Sequence, residues 1–288
     1  MTQQHLPTIA AEATATNGSR TLRPERFIDF VSESLYWEKY YDFPDIGYEW
    51  NNGQLEEIPP SDYAKYMMYV WFLSALDGFL RVEPIARLIG LKMGFRMALP
   101  TKTTIRRPDL GVVLNSNPIP LGDHDPIYRG IFDICIESLS DRSQTEIDRD
   151  AIIKREEYAA AGVQEYYLLD ERGIENQFYR LVRRGLYEPL PRVNGIVRSQ
   201  VLPGFQFRVA DLYEKPSRFQ MLDDPVYNGF ASRFYRPEHQ RAEQTEARAE
   251  QERQRAEDAE ARAEQEQQRA EHYAGLLRAA GLLQEATA

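Results

Sequence analysis

The stretch "GIFDICIESLSDRSQTEIDRDAIIKREEYAAAGVQEYYLLD" (130–170) holds an apolar run that ends on Glu137, followed by a helical-looking segment that carries Lys154. Residues 131–136 read as a buried strand, a helix is expected from about 143 to 161 with Gly162 as its stop, and "EYYLLD" (165–170) reads as the next strand. Both charges therefore sit on elements that own a core side. Glu137 has no neighbouring Lys or Arg. Facing inward, it must meet a cation or a metal, because an unpaired buried carboxylate is too costly; facing outward, it is a strand-end surface charge. At about 100° per residue, Ile147, Ala151, Lys154, Tyr158 and Gly162 share one side of the helix, so the lysine lies within an apolar stripe. Asp150, one turn earlier, offers the plainer alternative of an exposed pair worth only about 0.3–0.5 kcal/mol. Ile152 and Ile153 fall off the stripe and suggest packing on a second face.

A second charged strand end stands upstream in "RRPDLGVVL" (106–114), where Asp109 directly precedes an apolar run. It is either a turn residue or a ligand held on a rigid element. Two carboxylates on neighbouring strands plus a lysine are what metal-assisted phosphodiester hydrolysis requires. Hard oxygen ligands hold Mg²⁺ or a similar ion, and the lysine orients a water or stabilises developing charge.

Around these segments, "YEWNNGQLEEI" (48–58) reads as a hairpin turning at Asn52-Gly53. "SDYAKYMMYVWFLSALDGFLR" (61–81) reads as a core helix capped by Ser61 or Asp62. Apolar segments at 85–99 and 110–114 join 131–136 as three strands. "FYRLVRRGLYEPLP" (178–191) and "GIVRSQVLPGFQFRVADLY" (195–213) read as later strands with turns at Gly185, Gly195 and Gly204.

The 288-residue chain is 42% hydrophobic, enough for a sizeable core. Residues 1–22 read as a disordered leader, 23–236 as the globular domain and 237–288 as a helical tail. Heptads begin at Arg241, Arg248, Arg255, Arg262 and Arg269. Alanines at one seam position (Ala242 to Ala270) oppose Thr245, Glu252, Ala259, Glu266 and Tyr273, a poor coiled-coil core. The tail is thus a solvated charged helix or a weak coiled coil pinned by Tyr273, Leu276, Leu277, Leu282 and Leu283. The net charge of −10 repels nucleic-acid backbones, so contact with DNA needs a local basic surface and a metal ion. The single cysteine, Cys135, excludes an internal disulfide and a cysteine zinc site. No run of about 18 apolar residues and no signal peptide are present, which points to a cytoplasmic protein without a membrane partner. Neither a phosphate-binding glycine loop, nor a nucleophile elbow, nor a metal-binding histidine pair is present.

Taken together, "YEWNNGQLEEIPPSD", "RRPDLGVVL", "FDICIESLS", "DRDAIIKREEYAAAGVQEYYLLD" and "VLPGFQFRVADLY" resemble, in order, the Uma-two family of restriction endonucleases, a branch of the PD-(D/E)XK nuclease superfamily. The resemblance spans roughly 45 to 213. It implies an α/β (α+β) restriction-endonuclease-like core, a mixed β-sheet flanked by helices, and a long charged C-terminal helix as a common appendage. It also implies that Asp109 is the aspartate of the "PD" element and Glu137 the acid of the "(D/E)XK" element, both as ligands of Mg²⁺ or Mn²⁺. Where the superfamily places its lysine, this sequence has Leu139; the resemblance puts Lys154 of the following helix in that role, with Asp150 beside it. Glu49 matches a glutamate of the family's opening hairpin and is a further candidate acid. A histidine frequent after that hairpin is missing, since "PPSDYA" supplies Asp62 and Tyr63. Within such a fold Lys102, Arg106, Arg107, Arg142 and Arg149 become candidates for phosphate contact, each set against an ordinary surface charge. Tyr158, Tyr166 and Tyr167 read as core residues. The expected activity is metal-dependent hydrolysis of nucleic acid, DNA in particular. The alternative is a non-catalytic interaction module whose tail oligomerises or recruits a protein partner.

Overall fold

The computed structural model describes residues 30–44, 46–90 and 93–279, so the leader at 1–22 and residues Leu282 and Leu283 lie outside the described residues. Helix α1 (Glu33–Leu35), capped by Ser32, runs into a π-helical turn (Tyr36–Tyr40). The hairpin follows as β1 (Tyr48–Asn51) and β2 (Gln54–Glu57). Asn52 at φ +47° and Gly53 at φ +100° make its turn, the two left-handed positions such a hairpin needs. Helix α2 (Tyr63–Val82) is capped by Asp62, not Ser61: the Asp62 carboxylate accepts the Lys65 backbone N–H at 3.0 Å.

The apolar segment at 85–99 is two strands rather than one. β3 (Ala86–Ile89) and β4 (Phe95–Ala98) join different sheets, and β5 (Thr103–Arg106) precedes β6 (Leu110–Leu114) and β7 (Ile134–Ser138). A run of apolar residues marks burial but not which sheet buries it, and so the two strands merge when read along the chain. Next, α3 (Gln144–Asp148), a π-helical turn (Arg149–Lys154) and α4 (Arg155–Ala161) form one continuous helical segment. It starts at Ser143, whose hydroxyl accepts the Glu146 N–H, and stops at Gly162 with φ +100°. Strands β8 (Glu165–Leu169), β9 (Gln177–Arg183), β10 (Leu186–Pro189), β11 (Arg192–Val193), β12 (Ile196–Arg198) and β13 (Gln206–Arg208) follow. Three short helices, α5 (Asp211–Glu214), α6 (Gln220–Asp223) and α7 (Asn228–Phe234), lead into α8 (Arg236–Ala279), the 44-residue heptad helix. Tyr273, Leu276 and Leu277 near its end are exposed. Among the described residues no helix is long and apolar enough to cross a membrane.

Six strands form the main sheet in the order β10-β9-β8-β7-β6-β3, antiparallel except for the parallel pair β7–β8 that the 144–161 helical segment connects. A four-stranded antiparallel sheet, β2-β1-β5-β4, and a three-stranded sheet, β11-β12-β13, complete a mixed α+β fold flanked by helices. Side-chain alternation divides the main sheet's burial between two cores. Ile134 and Ile136 of β7 join Leu110 and Val112 of β6 against Phe72, Ala75, Leu76 and Phe79 of α2. Cys135 and Leu139 face the other way, with Val113 and Tyr166, against Ala151 and Tyr158 and against Phe95 and Met97 of β4. Cys135 is therefore a buried small hydrophobe, as its position in an apolar run suggested. Ile152 and Ile153 are 44% and 38% exposed, so the 144–161 segment packs on one face only, against the expectation of two.

β6 carries a glycine where a larger residue would not fit. A Cβ on Gly111 would lie 2.7 Å from the ring of Phe132, which is fully buried and packs edge-on against Phe95 at 4.7 Å. Gly111→Ala should therefore cost about 1–3 kcal/mol of stability by overpacking. Urea denaturation measures this, and an unchanged midpoint would show that the aromatic cluster yields freely.

Candidate active site

Asp109 and Glu137 stand at the ends of adjacent antiparallel strands. The register pairs Leu110 with Ile136, which sets Asp109 across from Glu137. The Asp109 carboxylate is held by the Ser138 backbone N–H at 2.7 Å. Strand alternation turns Glu137 to the same side as Cys135, toward the 144–161 segment, and the carboxylate is 3% exposed. Leu139, two residues on, is buried in the core beside that segment. A lysine there would have to leave its charge in an apolar cluster.

The cation arrives from the helix instead. Lys154 Nζ lies 3.1 Å from Glu137 Oε1, 3.3 Å from Glu49 Oε1 and 3.2 Å from Asp150 Oδ1. Lys154 is 5% exposed and Asp150 2%, so the pair is internal and the exposed-pair alternative does not hold. Lys154 ends the π-helical turn, four residues after Asp150 and on the same side of the segment. Asp150 is fixed by the Ser140 N–H at 3.0 Å, while its Oδ1 is buried without a hydrogen bond. Tyr158, one turn after the lysine, is fully buried, and its hydroxyl donates to Glu137 Oε1 at 2.6 Å. It is a core residue with a polar task.

Glu49 comes from the opening hairpin. Its Oε1 accepts the Arg107 backbone N–H at 2.9 Å and its Oε2 accepts from Arg106 Nη1 at 3.1 Å. Arg106 itself is fully buried and forks onto Glu157 through Nε at 2.6 Å and Nη2 at 3.0 Å, with Glu56 also in contact. This corrects the expectation of a phosphate-contacting Arg106: a guanidinium enclosed by three carboxylates has no path to a ligand. Lys102 is half-buried, bonded to Asn51 Oδ1 at 3.0 Å and paired with Glu157. Arg149 donates to the Glu57 carbonyl at 3.2 Å. Arg107 donates to the Tyr41 carbonyl at 2.7 Å and lies over the Tyr41 ring at 4.6 Å. Arg142 is exposed.

A charge imbalance results. Burial, then the carboxylates of Asp109, Glu49 and Asp150, push the Glu137 carboxyl up to about 8 despite Lys154. Burial alone would raise Glu49 as well, but Lys154, Arg106, the Arg107 N–H and Arg149 together bring it down to about 2. Lys154 loses to burial and gains more from Glu137, Glu49 and Asp150, so its ammonium is held above the ordinary lysine range. Glu137 and Glu49, on the same lysine, are thus driven in opposite directions.

These groups open into a cleft of about 710 Å³ whose wall includes Asp109, Ser138, Ser140, Arg107, Lys65 and Arg142. Glu49, Glu137, Asp150 and Lys154 sit at its inner end, in a narrow recess that also holds Asp109 and Arg149. Lys65, Ser138 and Ser140 were not anticipated, and only Ser138 and Ser140 carried a signal, their nearness to Glu137. Glu157 was equally missed, although it follows Lys154 by three residues and shares its helix face.

The mixed sheet thus brings the carboxylates at two strand ends to the recess that holds one buried lysine. The chain matches the Uma2 family, described as "Putative restriction endonuclease", over residues 37–210, and it belongs to that family. Among solved structures it is similar to "a putative nuclease belonging to DUF820" from Anabaena variabilis, with a TM-score of 0.46 and 18% identity, over 59% of this chain and 90% of that one. No curated protein matches.

Two measurements check the charge network. Arg106→Ala should destabilise the fold by about 3–5 kcal/mol, because Glu49 and Glu157 lose their buried partner; a loss under about 1 kcal/mol in urea unfolding would contradict this. The second is pH dependence without divalent ions. Glu137 keeps a proton that the unfolded chain releases near 4.5. Its contribution is thus present at low pH and lost as pH rises from about 4.5 through 8. Glu49 acts oppositely, stabilising above 4.5 and losing that contribution as pH falls toward 2. Thermal midpoints should fall from pH 5 to 8, and Glu137→Gln should flatten most of that slope.

Proposed function

We propose that this protein is a metal-dependent endonuclease that hydrolyses phosphodiester bonds in DNA. The observation that carries the proposal is the single amine of Lys154 within 3.3 Å of Glu49, Glu137 and Asp150, with Asp109 across the strand from Glu137. The donor set is entirely oxygen, as a hard divalent cation prefers. Among the described residues no three His, Cys, Asp or Glu side chains stand together so as to hold an ion unaided. Mg²⁺ commonly takes one or two carboxylates and fills its remaining positions with water and substrate phosphate. Asp109 and Glu137 would be the protein ligands, and the raised Glu137 carboxyl is the sign of a site short of positive charge.

Bound there, the ion would neutralise a phosphate and lower the pKa of a water. Lys154 keeps its proton through the working pH range and places a fixed positive charge beside Glu137, where it steadies negative charge developing on phosphate. Tyr158 holds the Glu137 carboxylate in one orientation. Arg106, through Glu49, holds the lysine's other partner. Arg107 and Arg142, on the cleft wall, would meet flanking phosphates.

The closure of Lys154 by three carboxylates also favours a second reading, a purely structural ion cluster in a non-catalytic binding module. Cleavage of plasmid and single-stranded DNA by the purified protein with Mg²⁺ or Mn²⁺ separates the two. Asp109→Ala and Lys154→Met should each reduce cleavage by about 100-fold or more. Calorimetric titration with Mn²⁺ should show a site that Asp109→Ala removes and Lys154→Met keeps. Equal background cleavage by wild type and Asp109→Ala would remove the catalytic proposal.

A further inference from the structure

Part of the lining of the cleft is aromatic and apolar. Tyr66 and Tyr69, three residues apart on one face of α2, line it together with Ile58, Pro59 and Pro60 from the segment that follows β2. Tyr66 is 53% exposed. Among the described residues, none of its ring contacts is with another aromatic side chain, whereas buried tyrosines such as Tyr158 and Tyr166 pack ring on ring. A large ring held at the mouth of a cleft that ends on carboxylates calls for an occupant with a flat apolar face.

We infer that the cleft takes single-stranded or locally unpaired nucleic acid, with Tyr66 stacking on a base while the adjoining phosphate reaches Asp109 and Glu137. This inference rests on the nuclease function proposed above and names its substrate form. In a duplex the phosphates lie outside and the base faces are buried in the stack, so a site that receives duplex presents cations along its approach. Here Tyr66, Tyr69 and two prolines line the cleft beside Lys65, and their flat apolar faces gain from contact with base faces. Stacking on an aromatic ring is available only to a base with an open face, and it is tolerant of sequence because every base has a π-face. The size agrees: about 710 Å³ falls in the range of small-ligand clefts, room for a nucleotide or two of a strand. Arg107 and Arg142 border the same space and supply charge for the flanking backbone. The molecule's net charge of −10 further penalises the dense charge of a duplex.

The test is fluorescence anisotropy with the full chain and Ca²⁺, using one labelled oligonucleotide as a single strand and as a blunt duplex. The single strand should bind at least about tenfold tighter. Tyr66→Ala, a surface change that leaves the core intact, should weaken single-strand binding by about tenfold. Tyr66→Trp should restore it, and neither should alter duplex binding. Equal affinity for the two forms, wild-type binding by Tyr66→Ala, or no binding of either form overturns the inference. Cleavage assays with Mg²⁺ keep the two claims apart. Stacking without cleavage would reject the nuclease function and leave the binding surface standing. Duplex cleavage unaffected by Tyr66→Ala would reject the stacking and leave the nuclease.

Discussion

A buried ammonium surrounded by carboxylates from three separate elements is the constraint around which this molecule is arranged. Lys154 reaches Glu49 on β1, Glu137 on β7 and Asp150 on its own helical segment. An internal charge of this kind persists only if partners surround it, since the desolvation cost is repaid by close geometry alone. The hairpin, the main sheet and the helix that crosses it must therefore meet within a few ångströms. Arg106 repeats the device one layer away, joining Glu49, Glu56 and Glu157 and so fastening the four-stranded sheet to α4.

The two cations do not play equivalent parts. Arg106 is sealed, its guanidinium spread over several acids, and it acts as a rivet between layers. Lys154 adjoins the recess that leads into the cleft, and its acids outnumber it. The surplus falls on Glu137, which is also the acid opposite Asp109. The acids around Lys154 stand at the inner end of a cleft, unlike the sealed partners of Arg106, and perturbed carboxyls gathered in a cleft are the arrangement that functional sites commonly use.

The local geometry explains how a helix can supply a lysine usually expected from a strand. Position 139 faces an apolar core between the sheet and the 144–161 segment, where only a residue such as leucine is stable. The same segment contains a π-helical turn at Arg149–Lys154, and that turn delivers both Asp150 and Lys154 to the strand end. Wider winding costs some hydrogen-bond quality within a helix, and its use here coincides with the site.

Much of the architecture was legible along the chain because its signals are local. Asn52-Gly53 specifies the hairpin turn, Ser61 or Asp62 marks a helix start, Gly162 marks a stop, and heptads from Arg241 specify a long helix. The stripe through Ala151, Lys154 and Tyr158 follows from helical spacing, whereas the sequence left Glu137 free to face inward or outward. Partnerships between distant segments were not legible. Whether 85–99 is one strand or two, whether Arg106 meets a phosphate or three glutamates, and whether Asp150 with Lys154 is exposed or internal each depend on which surfaces pack together. Periodicity reports only that a residue faces something buried. The identity of that something is set by the sheet order and by the cost of leaving a charge unpaired, and both are properties of the folded whole.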